Sequence, residues 1–331
     1  MKKEPMHILV TGGNGLLGHH VIERLLNEKH IVHAIVRRAD SLCIAHPRLK
    51  VFEGSFLQHE ALRRAAAGCS AIIHMAAVTD MGLLRYADYA KVTVDGSRNV
   101  LSVASELNIR KLIYISTINT IGYGTPDKWA VESDPMKYPV TDSFYARSKN
   151  EAERLFIDFS QKENMHVVIL NPSFMLGKYD AKPSSGQLVL FGYRKALMLV
   201  PKGGKSFVHV RDVAASVIAA LEKGRNGEKY ILSTQSMTIR EFYELQKTVC
   251  GYRQRIVCVP DWLLLAAGKA GDLLRRCGIR TQVSTTNVRQ ICVCEYYDNS
   301  KAVSELDFAG TPIAEAVRDS IAWFRETKKI K

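Results

Sequence analysis

Ile8-Leu9-Val10-Thr11-Gly12-Gly13-Asn14-Gly15-Leu16-Leu17-Gly18 is the stretch that decides how this chain folds. A short apolar run leads into a glycine cluster, and the cluster leads into an amphipathic segment. From Leu16 to Leu26, Leu17, Val21, Leu25 and Leu26 share a face, while His20, Glu23 and Arg24 lie mostly off it. The pattern is strand, tight turn, helix, with glycines spaced Gly-x-x-Gly-x-x-Gly. Gly12 permits the turn, Gly15 lets backbone approach a pyrophosphate, and Gly18 lets the helix pack close to the sheet. A helix N-terminus adds amide donors and partial positive charge. The segment predicts a dinucleotide-phosphate cradle made by Gly12, Asn14, Gly15, Leu16, Leu17 and Gly18. A glycine turn without a ligand is the plainer alternative, and the strand-turn-helix context speaks against it.

Outward from that turn, β-rich runs alternate with amphipathic stretches. Ile8–Val10, Ile31–Val36, Val51–Phe52, Ala71–His74, Leu112–Ile115 and Val167–Leu170 are the expected strands. Alternating βα units predict an α/β fold with a doubly wound parallel Rossmann sheet. After Pro172 the rhythm changes to loops holding Pro183, Gly186, Pro201, Gly203 and Gly204, then a βα-like stretch from Phe207 to Leu221 and a strand at Tyr230–Leu232. We therefore expect a dinucleotide-binding domain over residues 1–172, with 206–234 returning to it. Residues 173–205 and 235–331 are expected to form a smaller, interleaved substrate-binding domain.

The end of the second strand selects the nucleotide. NAD-binding turns place an acidic residue about 20 positions beyond the glycines, on the ribose hydroxyls. Here Arg37 and Arg38 stand at that strand end. An arginine makes charge-assisted bonds to a 2′-phosphate that a carboxylate would repel. NADP(H) is thus expected ahead of NAD(H).

Phe144-Tyr145-Ala146-Arg147-Ser148-Lys149-Asn150 opens a further helix, and the i, i+4 spacing puts Tyr145 and Lys149 on one face. Such a pair is common by chance; its weight comes from lying downstream of the cradle and of a strand ending Tyr114-Ile115-Ser116-Thr117. A free tyrosine titrates near ~10, so bringing it to neutrality takes about 4 kcal/mol. One ammonium at ~4 Å in an effective dielectric of ~20 supplies a Coulomb term of about that size. Tyr145 is the expected proton donor to a carbonyl oxygen, Lys149 the group that assists it and holds the nicotinamide ribose, and Thr117 a hydroxyl on the reacting oxygen.

Further motifs follow in order: His74-Met75-Ala76-Ala77, Gly96-Ser97-Arg98-Asn99-Val100, Asn171-Pro172-Ser173, Val208-His209-Val210-Arg211-Asp212-Val213 and Trp323-Phe324-Arg325. With them the chain resembles, over nearly its whole length, the extended short-chain dehydrogenase/reductases of the NAD-dependent epimerase/dehydratase family. It is most similar to dihydroflavonol-reductase-like and 3-beta-hydroxysteroid-dehydrogenase-like members and to hopanoid-associated sugar epimerases. The resemblance implies that Thr117 is the catalytic Ser/Thr, that Ala76 lines the cofactor, and that Pro172 and Ser173 lie beside the nicotinamide. Ser55 stands where many relatives have an adenine-contacting aspartate, Thr93 where many have asparagine, and Thr117 replaces the commoner serine, with Ser116 as a fallback donor. Dehydratases of this branch carry Asp-Glu after the catalytic threonine; here those positions are Ile118 and Asn119.

Composition narrows the class further. The chain has 331 residues, 47% of them hydrophobic, enough for a substantial core. No signal peptide opens it and no apolar run approaches the ~20 residues of a membrane span, so a cytoplasmic protein without a transmembrane segment is expected. Seven cysteines read as free thiols, Cys292 and Cys294 as ordinary strand residues, and no metal site is expected. The net charge of +13 is spread along the chain, which argues against nucleic acid as partner and suits a phosphorylated cofactor. A small-molecule substrate is the expected partner, and a homodimer is compatible with the family.

A carbonyl reductase or alcohol dehydrogenase fits these features best. A nucleotide-sugar epimerase retaining NAD(P) is the alternative, and a non-catalytic NADP(H)-binding sensor or subunit the third reading. Phe174, Met175, Leu176, Leu188, Leu190, Phe191, Tyr193, Leu197 and Met198 are candidates for an apolar pocket suited to a flavonoid-, steroid- or terpenoid-like ketone, in a segment expected to be helix-rich. Asp261–Arg276 joins Trp262 and three leucines to Lys269, Arg275 and Arg276; a packed surface helix is expected there ahead of a membrane-surface helix or a lid.

Overall fold

The computed structural model describes residues 4–162 and 165–330. Strand and helix alternate through the first half: β1 (His7–Thr11), α1 (Leu16–Asn27), β2 (Ile31–Val36), β3 (Leu49–Glu53), α2 (His59–Ala66), β4 (Ala71–His74), α3 (Tyr86–Glu106), β5 (Lys111–Ile115), α4 (Phe144–Lys162) and β6 (His166–Pro172). The second half comprises β7 (Phe174–Leu176), α5 (Gly186–Gly192), β8 (Leu197–Val200), β9 (Gly204–His209), α6 (Val210–Lys223), β10 (Lys229–Leu232), β11 (Gln235–Thr238), α7 (Ile239–Cys250) and β12 (Arg255–Cys258). The helices α8 (Asp261–Arg276), α9 (Thr285–Ile291), α10 (Ser300–Leu306) and α11 (Ile313–Glu326) complete it.

The main sheet has seven strands in the order β10-β6-β5-β4-β1-β2-β3, all parallel. Both faces are covered, which is why its strands are written as continuous apolar runs. Side chains alternate between two cores with the period of two of a strand. Ile8, Val10, Ile113, Ile115, Val168 and Leu170 join the core under α1 and α6. Their neighbours Leu9, Leu112, Tyr114, Val167 and Ile169 join the core under α2, α3 and α4. The strand order reverses between β4 and β1, so the loops beyond Thr11 and His74 diverge. That opening at the carboxyl ends is where α/β sheets bind ligands.

β9 pairs with β7 and β11 in a three-stranded sheet, and β8 pairs with β12. Phe207 stacks on Phe242 at 5.0 Å between ring centroids, in a core shared with Leu176, Val189 and Phe324. Two sequence expectations change here. The 174–198 segment is not helix-rich: α5 is its one described helix, between strands β7 and β8, because its apolar residues divide between sheet pairing and core. Cys292 and Cys294 are not in a strand; Cys292 caps the end of α9 and Cys294 lies in the following loop. Among the described residues no helix is long and apolar enough to cross a membrane.

Candidate active site

The glycine turn is built as its spacing requires. Gly12 takes φ +77°, and a Cβ there would stand 2.8 Å from the Ala76 amide nitrogen; a Cβ on Gly18 would lie 2.2 Å from the Gly12 carbonyl oxygen. Gly15 differs. It is exposed, and a Cβ would meet only the Gly12 oxygen at 3.3 Å, so internal packing leaves an open approach at the N-cap of α1. That geometry fits a phosphate cradle. Leu17 buries its side chain in the core, so it can offer a ligand only its backbone. Behind the turn, His74 Nδ1 is 2.7 Å from Thr11 Oγ1 and its Nε2 is 3.3 Å from Ser97 Oγ. Burial, then the Lys149 charge, pushes His74 down to about 3. A ring that stays neutral has one nitrogen to donate and one to accept, and it holds the turn between these two hydroxyls. His209, also lowered by burial, accepts the Arg211 amide at the start of α6.

Arg37 and Arg38 follow β2 and are exposed. They are not equivalent. Arg38 donates through Nε and Nη2 to Asp40 at 3.0 and 2.6 Å. Asn14 at the cradle donates to Ser41 Oγ at 3.0 Å, and Ser41 donates to the Arg38 carbonyl at 2.6 Å, tying this loop to the phosphate turn. Ser55 Oγ accepts the Leu57 amide at 3.2 Å, so its hydroxyl already caps a turn.

Tyr145 is half-buried in the first turn of α4. Burial raises its pKa, and a hydrogen bond with Thr117 pulls the other way. Thr117 lies just past β5 and accepts the Asn119 amide. Lys149, one turn along the same face, is buried, with Nζ donating to the Ile115 carbonyl at 2.5 Å and lying 4.4 Å from the Tyr114 ring centroid. Burial drives it down to about 7, against the pull of Glu153. The hydroxyl acting on Tyr145 in this structure is therefore that of Thr117, while the ammonium is engaged beneath it. Ser173 adds a buried hydroxyl with no hydrogen-bond partner among the described residues.

Sequence reasoning missed Glu153. Its buried Oε2 accepts from Ser116 at 2.6 Å, Thr120 at 2.8 Å and Asn171 at 2.9 Å, and its Oε1 is 3.4 Å from Lys229 Nζ. Asn171 also donates to the Thr117 carbonyl at 3.1 Å. One carboxylate thus ties α4 to the ends of β5, β6 and β10. Ser116 is committed to it and is no fallback for Thr117. The signal was present: Tyr145, Lys149 and Glu153 stand at i, i+4 and i+8, an acid on a face that must bury.

Beyond Ser173, Phe174, Leu188, Leu190 and Phe191 line a cavity of about 580 Å³ with Ile239, Ile291 and Lys205. α9, which carries Ile291, touches the Val140–Asp142 turn that leads into α4. Of the other pocket candidates, Leu176 and Met198 are core, Leu197 is exposed, and the Tyr193 hydroxyl accepts from Arg325.

Residues 8–233 match the model of the NAD dependent epimerase/dehydratase family. The chain belongs to that family. Within it, a candidate dihydroflavonol 4-reductase of Synechocystis is 29% identical, over 97% of this chain and 95% of the relative. Sterol demethylase protein B of Methylococcus capsulatus is 27% identical, over 97% and 99%. The crystal structure of gox2253 superposes with a TM-score of 0.83 at 28% identity, covering 98% of this chain and 99% of the other. This epimerase/dehydratase-family chain is therefore an α/β protein of an NAD(P)-dependent reductase and epimerase group, with the fold that its glycine turn predicted.

Proposed function

We propose that this member of the family is an NADP(H)-dependent carbonyl reductase, or alcohol dehydrogenase in reverse, acting on a small apolar ketone. The observation that carries this reading is the apolar cavity beyond Ser173. Its walls are mainly Phe174, Leu188, Leu190, Phe191, Ile239 and Ile291, with Ser184, Gln187 and Gln282 as polar points, and its cation Lys205 is paired with Glu295; that lining suits a flavonoid-, steroid- or terpenoid-like skeleton better than the polyanionic head of a nucleotide sugar. The names borne by the Synechocystis and Methylococcus relatives agree with that class.

When bound, a nicotinamide cofactor would supply the hydride for the carbonyl carbon. Tyr145 gives its proton to the carbonyl oxygen, Thr117 hydrogen-bonds that oxygen, and Lys149 assists Tyr145 and holds the ribose. Gly12, Asn14, Gly15, Leu16, Leu17 and Gly18 would hold the pyrophosphate, Ala76, Pro172 and Ser173 the nicotinamide half, and Ser55 the adenine. Arg37 is the cation for the 2′-phosphate; Arg38, held by Asp40, shapes the loop around it.

Mixing the enzyme with NADPH and a panel of apolar ketones, aldehydes and nucleotide sugars tests the reading. NADPH consumption on an apolar ketone is expected; sugar interconversion without net consumption would replace it with an epimerase. Arg37→Asp is expected to lower the ratio of NADPH to NADH affinity by about ten-fold or more, the worth of a charge-assisted bond. An unchanged ratio in paired fluorescence titrations would remove Arg37 from the site.

A further inference from the structure

The buried residues of α8 are glycines, Gly268 and Gly271. A Cβ on Gly271 would stand 2.1 Å from the Val283 carbonyl oxygen, and one on Gly268 3.0 Å from Thr285 Cα. The helix packs on the chain entering α9 through its smallest residues and turns its large ones outward. Trp262 is 70% exposed, Leu273 63%, Leu263 48% and Leu274 46%. At about 100° per residue these four, with Ala266 and Ala270 between them, fall within one arc of about 120°. A soluble surface helix points such an arc at the core; here it points at solvent.

Charge borders that arc. Lys269 and Arg276 lie on one rim of it and Arg280 follows the helix, all exposed. The acidic groups of the element are occupied elsewhere: Asp272 accepts the Thr285 amide at 3.2 Å, and Asp261 lies beside Cys292. The chain as a whole carries +13. Position matters too. Arg275 donates to the carbonyls of Met81 and Leu83 at 3.2 and 3.1 Å, which fixes the end of α8 to the loop beyond β4, at the ligand-binding edge of the sheet. Gln282, in the segment after α8, lines the apolar cavity.

We infer that α8 is an interfacial helix that docks the protein on a membrane surface bearing anionic lipid. Its apolar arc, led by Trp262, sinks into the boundary between headgroups and acyl chains, and Lys269, Arg276 and Arg280 meet lipid phosphates. The docking stands independently of the carbonyl-reductase reading. Where both hold, docking brings the protein to the lipid phase in which an apolar substrate dissolves.

Flotation of the full chain with phosphatidylcholine vesicles, with and without phosphatidylglycerol, at low and high salt, tests this. The protein is expected to float with the phosphatidylglycerol vesicles and to be released by salt. The double variant W262D/L273D should remain unbound while keeping its melting temperature and NADPH affinity. K269E/R276E, confined to exposed charges and so safe for folding, should weaken anionic-vesicle binding more than ten-fold. Failure of the native chain to float at low salt would overturn the inference. So would undiminished binding by K269E/R276E, or a native dimer that W262D/L273D converts to monomer, which would assign the arc to a second copy of the chain.

Discussion

Tyr145→Phe is expected to lower kcat for carbonyl reduction by about 10²- to 10⁴-fold, the range contributed by a positioned general acid, while NADPH affinity stays within a few-fold. The substitution deletes one oxygen and keeps the ring, so the half-buried first turn of α4 retains its packing. Lys149 does not depend on the lost hydroxyl for its place, because Nζ is held by the Ile115 carbonyl. Thr117 is likewise fixed by its own turn. The loss therefore falls on proton transfer and not on assembly of the site. Single-turnover reduction beside a fluorescence titration of NADPH separates the two. A variant with native kcat would show that the proton comes from elsewhere, and one that loses NADPH binding as well would make Tyr145 a structural residue.

How much of this could be read from the sequence depended on how local the cause was. The main sheet was legible because strands covered on both faces must be written as apolar runs, and Ile31–Val36 and Ala71–His74 kept the same bounds in three dimensions. The cradle was legible because φ +77° at Gly12 and the 2.2 Å approach at Gly18 leave glycine little competition. Arg38 was half legible: Asp40, two residues on, was visible as a competitor for its guanidinium. Glu153 was half legible: the i+8 spacing put an acid on the buried face, but its partners lie just past β5 and in β6 and β10, and only the assembled sheet brings Ser116, Asn171 and Lys229 to one carboxylate. In α8 the apolar arc was plain, but its direction was not. Helical periodicity tells which residues share a face and leaves open which face meets the protein; the close contacts at Gly268 and Gly271 settle that.

Glu153→Gln is expected to move the alkaline limb of the pH–rate profile toward lower pH. Lys149 titrates at about 7 in the folded chain because burial outweighs the attraction of Glu153, against an ordinary value of ~10.4. Between those two values the folded state binds fewer protons than the unfolded one, so stability rises with pH across that window. Below about 7 the cost of the buried ammonium is present in full. Removing the carboxylate charge lowers Lys149 further, so the ammonium that we propose assists Tyr145 is lost earlier as pH rises. The glutamine oxygen can still accept from Ser116 and Thr120, which keeps the strand ends together, whereas Glu153→Leu strands those hydroxyls, Asn171 and Lys229 at a cost of roughly 3 to 5 kcal/mol. Thermal melts of the cofactor-free protein as a function of pH read the same shift without turnover. Superimposable profiles for the native and Glu153→Gln proteins would show that Glu153 braces the strands and does not tune the lysine.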